Sequence, residues 1–194
     1  MSMWKVKISL REFSFEQIKT KNFMKKVDNF MKNIVLIGMP ACGKSTIGYW
    51  LSKKIDYPLF DADKYLEEKE NRVISDIFSN EGEEYFRELE TKYLKELSEK
   101  NGIIISTGGG AVKKKENIDI LKKNGIVVFL NREIADIYKE NHEKRPLLKD
   151  INNIQKLYDE RIDLYRKYAD IIIKNNDEID VIVDRIITAL KGKL

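Results

Sequence analysis

A short apolar strand that runs straight into a glycine-bracketed turn and then a helix leaves a chain few ways to fold. Residues 33–38 are such a strand, residues 44–54 carry helical spacing, and between them runs Gly38-Met39-Pro40-Ala41-Cys42-Gly43-Lys44-Ser45. The run matches G-x-x-x-x-G-K-[ST] in full, and in the strand-to-helix setting that gives the pattern its meaning. Gly38 and Gly43 permit a turn that aims successive backbone N–H groups inward. With the helix N-terminus and Thr46 behind it, those donors form a nest for phosphate oxygens. Lys44 adds a mobile positive charge near the β- and γ-phosphates of ATP, and the Ser45 hydroxyl is the expected Mg²⁺ ligand. Cys42 admits two readings. It is a small neutral filler, or a thiol at a helix N-terminus beside a lysine, open to reagents until nucleotide covers it.

The alternation continues along the chain. Further strands are expected over 58–61, 102–107, 126–130 and 170–174, and helices over 64–70, 74–80, 83–100, 117–123, 133–139, 151–168 and 178–190. Five short strands, apolar on both faces and separated by helices, imply a three-layer α/β domain with a parallel sheet covered on both sides. Ligands of such sheets bind beyond the C-terminal strand ends. No apolar run approaches the roughly 20 residues of a membrane-spanning helix. One cysteine and one histidine argue against a disulfide framework and a zinc site, and fit a reducing cytoplasm.

The net charge of +4 is unevenly placed. Residues 1–32 hold eight Lys/Arg against three Asp/Glu, so the chain beyond them sums to −1. A nucleic-acid partner would need basicity on the domain itself. Residues 1–31 therefore read as a basic leader, with alternating apolar residues from Trp4 to Leu10 and helical spacing after Phe15. It is either an appendage or upstream start, since Met31 precedes the first core strand, or a targeting element. The domain is expected to occupy residues 32–194.

Other strand ends carry polar motifs. Asp61-Ala62-Asp63 closes the second strand, where a spacing of two in extended chain would turn both carboxylates to one side. One could orient Mg²⁺-bound water and the other take the proton of an acceptor hydroxyl; alternatively Asp63 only caps the next helix. Gly108-Gly109-Gly110 after the third strand exceeds what a strand exit needs and would admit a ligand close to bare backbone. Arg87 and Arg161 lie in helices, where they are surface groups or carboxylate ligands. Arg145-Pro146-Leu147-Leu148 follows a polar stretch suited to a lid over about 138–150.

Taken in order, these motifs, with Ile77-Phe78, Phe86-Arg87, Glu90 and Glu160-Arg161 before Leu164-Tyr165, resemble the shikimate kinase family from about Lys32 to the C-terminus. The resemblance implies a P-loop NTPase-type sheet of order 2-3-1-4-5. It implies transfer of the ATP γ-phosphoryl group to the 3-hydroxyl of shikimate, on the route to chorismate; a monomer is expected, with no nucleic-acid partner on charge and no membrane partner on hydropathy. Asp63 then corresponds to the residue holding the acceptor hydroxyl, and Arg87 and Arg161 to a carboxylate clamp. Gly108, Gly109 and Gly110, Phe78, Phe86 and Glu90 correspond to the shikimate pocket, with Glu90 tethering an arginine. Lys44 and Arg145 correspond to the charges on the transferring phosphoryl, and Ser45 with Asp61 to the Mg²⁺ site. Relatives commonly place an arginine near adenine where this chain has Ile137-Tyr138-Lys139-Glu140, so Tyr138 or Lys139 would have to serve. The rival readings are a gluconate- or nucleotide-type kinase, which leaves the triple glycine and paired arginines unexplained, and a silent nucleotide-binding module, which should have lost Lys44 or Asp63.

Overall fold

The computed structural model describes residues 31–139 and 151–194, the side chains of 151 and 152 excepted. Residues 1–30 of the leader and most of the 138–150 segment, Arg145 included, therefore lie outside the described residues. Strands β1 (Asn33–Ile37), β2 (Leu59–Asp61), β3 (Ile104–Ser106), β4 (Gly125–Asn131) and β5 (Ile171–Lys174) form one sheet in the order β2-β3-β1-β4-β5. Every pairing is parallel, with Val35 of β1 opposite Ile105 of β3 and Val127 of β4. This is the order that the resemblance implies.

The central strand is buried from end to end, as a strand covered on both faces must be: Ile34, Val35, Leu36 and Ile37 are each wholly inaccessible. Each such side chain contributes about 1.5–3 kcal/mol relative to leaving it exposed. The helices that do the covering are α1 (Lys44–Ile55), α2 (Ala62–Glu70), α3 (Ile74–Ser98), α4 (Lys115–Lys122), α5 (Ile134–Tyr138), α6 (Ile151–Tyr168) and α7 (Ile179–Leu190). Among them α1 packs with α7, and α3 packs with both α2 and α4. A smaller apolar cluster, Leu66, Ile77, Phe86, Leu89 and Tyr93, joins α2 to α3.

Helix α3 is two helices across a kink. Gly82 has φ 86° and ψ 178°, and nothing crowds the place of a side chain there. The backbone angle alone selects glycine, and it breaks the helix where the sequence reading breaks it. The consequence is local: Phe78 lies before the kink, and Phe86, Arg87 and Glu90 after it.

Candidate active site

The phosphate-binding loop leaves β1 at Gly38 (φ 148°) and enters α1 at Gly43 (φ 92°), with Ala41 also left-handed at φ 64°. No side chain caps α1. Its first N–H groups are left for a ligand, and an anion is the natural cap. The Lys44 ammonium is buried and folded back, donating to the carbonyls of Gly38 and Met39 at 2.9 Å each. Cys42 is wholly buried, and Lys44 Nζ lies 3.8 Å from its Sγ. The accessible thiol suggested by its place in the motif is not what the loop presents, because the turn folds that side chain inward under Gly38.

Ser45 and Asp61 meet as expected: the serine hydroxyl donates to Asp61 Oδ2 at 2.7 Å, and Ser106 Oγ lies 3.4 Å from it. The reason for the Asp-x-Asp spacing is different from the expected one. The extended chain ends at Asp61, whose Oδ1 accepts from the Lys64 N–H and caps α2. Asp61 is thus the cap, and Asp63 sits in the first helical turn. Burial first, then the neighbouring charges of Asp61 and Glu90, push the Asp63 carboxyl up to about 6 against the opposing pull of Lys44.

The triple glycine is the point on which the site converges. A Cβ on Gly108 would stand 2.7 Å from Asp63 Oδ1 and 3.1 Å from Glu90 Oε1. One on Gly109 would meet Pro40 Cδ at 2.7 Å, and one on Gly110 would meet both terminal nitrogens of Arg87 at 2.6 Å. These glycines make room for the acid, the phosphate loop and the arginine respectively.

Arg87 is held from two sides. Its Nε and Nη2 donate to Glu83 Oε1 at 3.3 and 3.1 Å, and its Nη1 donates to Glu90 Oε2 at 2.8 Å. Each terminal nitrogen carries a second hydrogen, left for a ligand, and a carboxylate is the natural partner of a guanidinium. Lys113 bridges Glu83 (3.7 Å) and Glu160 (3.0 Å), and Glu160 lies 3.7 Å from Arg161 Nε. Among the described residues, two buried side-chain polar atoms have no hydrogen-bond partner: Glu90 Oε1 and Arg161 Nε. Buried polar groups are almost always hydrogen-bonded, so these mark places for polar ligand atoms. Phe78 is exposed, its ring 4.6 Å from that of Phe86.

A cleft of about 710 Å³ opens on the other side of the phosphate loop. Ala41, Gly43 and Thr46 line it, with Arg132, Asp136, Asn175 and Asn176 opposite. Tyr138 donates to Gln155, and Lys139 to Asp136 of the cleft wall. Arg132 Nη1 donates to the Ala41 carbonyl at 3.2 Å, and Asn175 Nδ2 donates to the Cys42 carbonyl. Neither residue stood out in the sequence, yet both directly follow strands, β4 and β5, at the end where ligands of such sheets bind. Tyr165, Glu83 and Lys113 were also missed as site residues. Among the described residues, no helix is long and apolar enough to cross a membrane.

Comparison with known proteins agrees with this geometry. A family model for shikimate kinase matches residues 40–191. The shikimate kinase of Clostridium beijerinckii is 46% identical over 159 residues, which span 80% of this chain and 94% of that protein. The structure of shikimate kinase from Acinetobacter baumannii in complex with shikimate superposes with a TM-score of 0.80 at 30% identity, covering 87% of this chain and 97% of that one. That of shikimate kinase from Aquifex aeolicus gives 0.74 at 37% identity, covering 83% and 97%.

Proposed function

This chain belongs to the shikimate kinase family, and from that premise we propose how its own residues move the γ-phosphoryl group of ATP to the 3-hydroxyl of shikimate. The observation that carries the reading is the convergence on Gly108–Gly110 of an acid, a tethered arginine and the phosphate loop. The unpartnered Glu90 Oε1 and Arg161 Nε lie beside them as waiting contacts.

Arg87 and Arg161 receive the substrate carboxylate, Arg87 through the fork that Glu83 and Glu90 hold in place. Phe78 and Phe86 wall the ring of the substrate, and Gly109 and Gly110 offer backbone N–H donors. Asp63 holds the acceptor hydroxyl. A carboxyl near 6 is mostly ionised at neutral pH yet basic enough to take a proton as the new O–P bond forms. The bond between the γ-phosphorus and the ADP oxygen breaks on the opposite side. Lys44, whose ammonium gives up or shares its bonds to the Gly38 and Met39 carbonyls, is assigned to the charge of the phosphates, and Arg145 to the same charge. The cleft lined by Arg132 and Asn175 takes the nucleotide base.

The Ser45 hydroxyl and the Asp61 carboxylate, 2.7 Å apart at the end of the phosphate loop, fit Mg²⁺. That ion keeps most of its waters and takes few protein ligands beside phosphate oxygens. When bound there it neutralises charge on the β- and γ-phosphates. The enzyme is assigned to the cytoplasm and to a monomeric state, with residues 32–194 as the catalytic domain and residues 1–31 as an appendage. The test is ADP release from ATP and Mg²⁺ with shikimate, gluconate or a nucleoside monophosphate as acceptor. Turnover should be confined to shikimate; equal turnover with gluconate would overturn the assignment.

A further inference from the structure

Helix α6 delivers two side chains to the same place. Arg161 is one, its buried Nε without a hydrogen bond and 3.7 Å from Glu160. Tyr165 lies one turn further on, so both project from one face of the helix. Its ring is wholly buried and stacks on Phe129, with ring centres 5.2 Å apart and planes 18° from parallel. Its hydroxyl donates to the Gly109 carbonyl at 2.5 Å. A stacked ring inside the core cannot swing, so the direction of that donor is fixed by packing.

The bond fixes more than one oxygen. Carbonyl and N–H of a trans peptide point in opposite directions within one plane. Holding the Gly109 carbonyl toward Tyr165 therefore turns the Gly110 N–H to the other side of the loop. Glycines resist such rotation least, and Gly110 also has the Arg87 guanidinium packed over it. The next links are already made: Ala111 N–H donates to the Gly108 carbonyl, and Lys113 N–H to the Gly110 carbonyl. Without Tyr165, the Gly109–Gly110 peptide would be held only by its ends.

We propose that Tyr165 is a positioning residue for substrate recognition: its hydroxyl sets the Gly109–Gly110 peptide so that the Gly110 N–H and the Arg161 guanidinium keep one mutual geometry. The inference rests on the shikimate-pocket reading of this loop. It assigns Tyr165 no contact with substrate and no proton transfer. Burial raises the phenol above its ordinary range, so it remains a neutral donor throughout working pH.

Tyr165→Phe removes the donor and keeps the stacked ring. Shikimate KM should rise about fivefold to tenfold, the size of one lost buried hydrogen bond, while kcat and the KM for ATP stay within about twofold. In ¹⁵N spectra the Gly110 amide should move in the free variant, and its response to shikimate should shrink. A tyrosine analogue at position 165 with an amine in place of the hydroxyl should restore KM. If Tyr165→Phe does not fold, a fluorinated tyrosine there, a stronger donor of the same shape, should lower shikimate KM, and an unchanged value would overturn the proposal. An unchanged shikimate KM in folded Tyr165→Phe, or equal losses for both substrates, would also overturn it. No shikimate turnover by the unsubstituted chain overturns the functional reading, and this inference with it. Normal turnover there with an unchanged KM in the variant overturns this inference alone.

Discussion

Two glycine-bearing loops meet at the candidate active site, and they use glycine for opposite reasons. In the phosphate loop Gly38 and Gly43 hold φ values of 148° and 92°, angles that a side chain makes costly. In the loop after β3 no glycine has a positive φ; Gly110 sits at φ −93°, which any residue adopts. There glycine provides space, because each missing Cβ is replaced by part of the site. Conformation is a property of the loop itself, whereas space is a relation to Asp63, Pro40 and Arg87, which lie elsewhere in the sequence. Substitution should therefore damage the first loop as a fold and the second as a set of separable functions.

The largest effect is expected at Gly38. Gly38→Ala meets a left-handed φ, the Leu130 carbonyl at 2.9 Å and Cys42 Sγ at 2.8 Å. Strain and overlap together should cost about 2–4 kcal/mol of stability, seen as a fall in Tm, and turnover should drop with it. Near-normal Tm would break the comparison.

Asp63→Asn comes next. Turnover should fall by about 10²-fold or more, the size of a lost general base, with ATP binding kept. The free protein should become more stable at neutral pH. The folded carboxyl titrates near 6 and the unfolded one near 3.8, so ionised Asp63 costs the fold about 2–3 kcal/mol above pH 6. That cost fades as pH falls from 6 toward 4, and the Tm gap between variant and parent should close over the same range. A gap independent of pH would remove Asp63 as its source.

Gly110→Ala should raise shikimate KM about tenfold, the size of a weakened charged hydrogen bond, with little change in Tm. The overlapping atoms are the movable tip of Arg87, so the clamp shifts and the loop does not. A large loss of Tm would mean that this glycine serves conformation after all. The smallest effect is expected at Lys113, an exposed bridge between Glu83 and Glu160. Lys113→Ala should raise shikimate KM only about twofold to fourfold, as partly exposed ion pairs are worth little, and added salt should shrink the difference.

The same contrast explains how much could be read beforehand. The phosphate loop is legible because one segment must adopt one conformation, and a fixed spacing of Gly, Lys and Ser records it. The sheet is legible because strands buried on both faces must be apolar throughout, as Ile34–Ile37 are. The excess of glycine at Gly108–Gly110 was visible, but not which side chain each makes room for. Arg132, Asn175, Glu83 and Lys113 left no local pattern, because their roles come from elements that meet only in three dimensions. The alternative of a cap at Asp63 fell two residues late because either aspartate could start α2, and the Lys64 N–H bonds to Asp61. Cys42 kept two readings because its sequence neighbours favour a thiolate, while its burial, which makes it a filler, is set by Gly38 and the turn.

The lysine folded onto its own loop has a consequence for selectivity among anions. Its ammonium already holds two carbonyl oxygens in a site with little solvent, so occupancy is an exchange of partners and not the filling of a gap. An incoming anion must return more than those two bonds to draw the lysine out. A polyphosphate that meets more of the backbone donors returns more contacts for that exchange than a small anion that meets fewer. The release of the lysine is thereby tied to how much of the nest an anion fills.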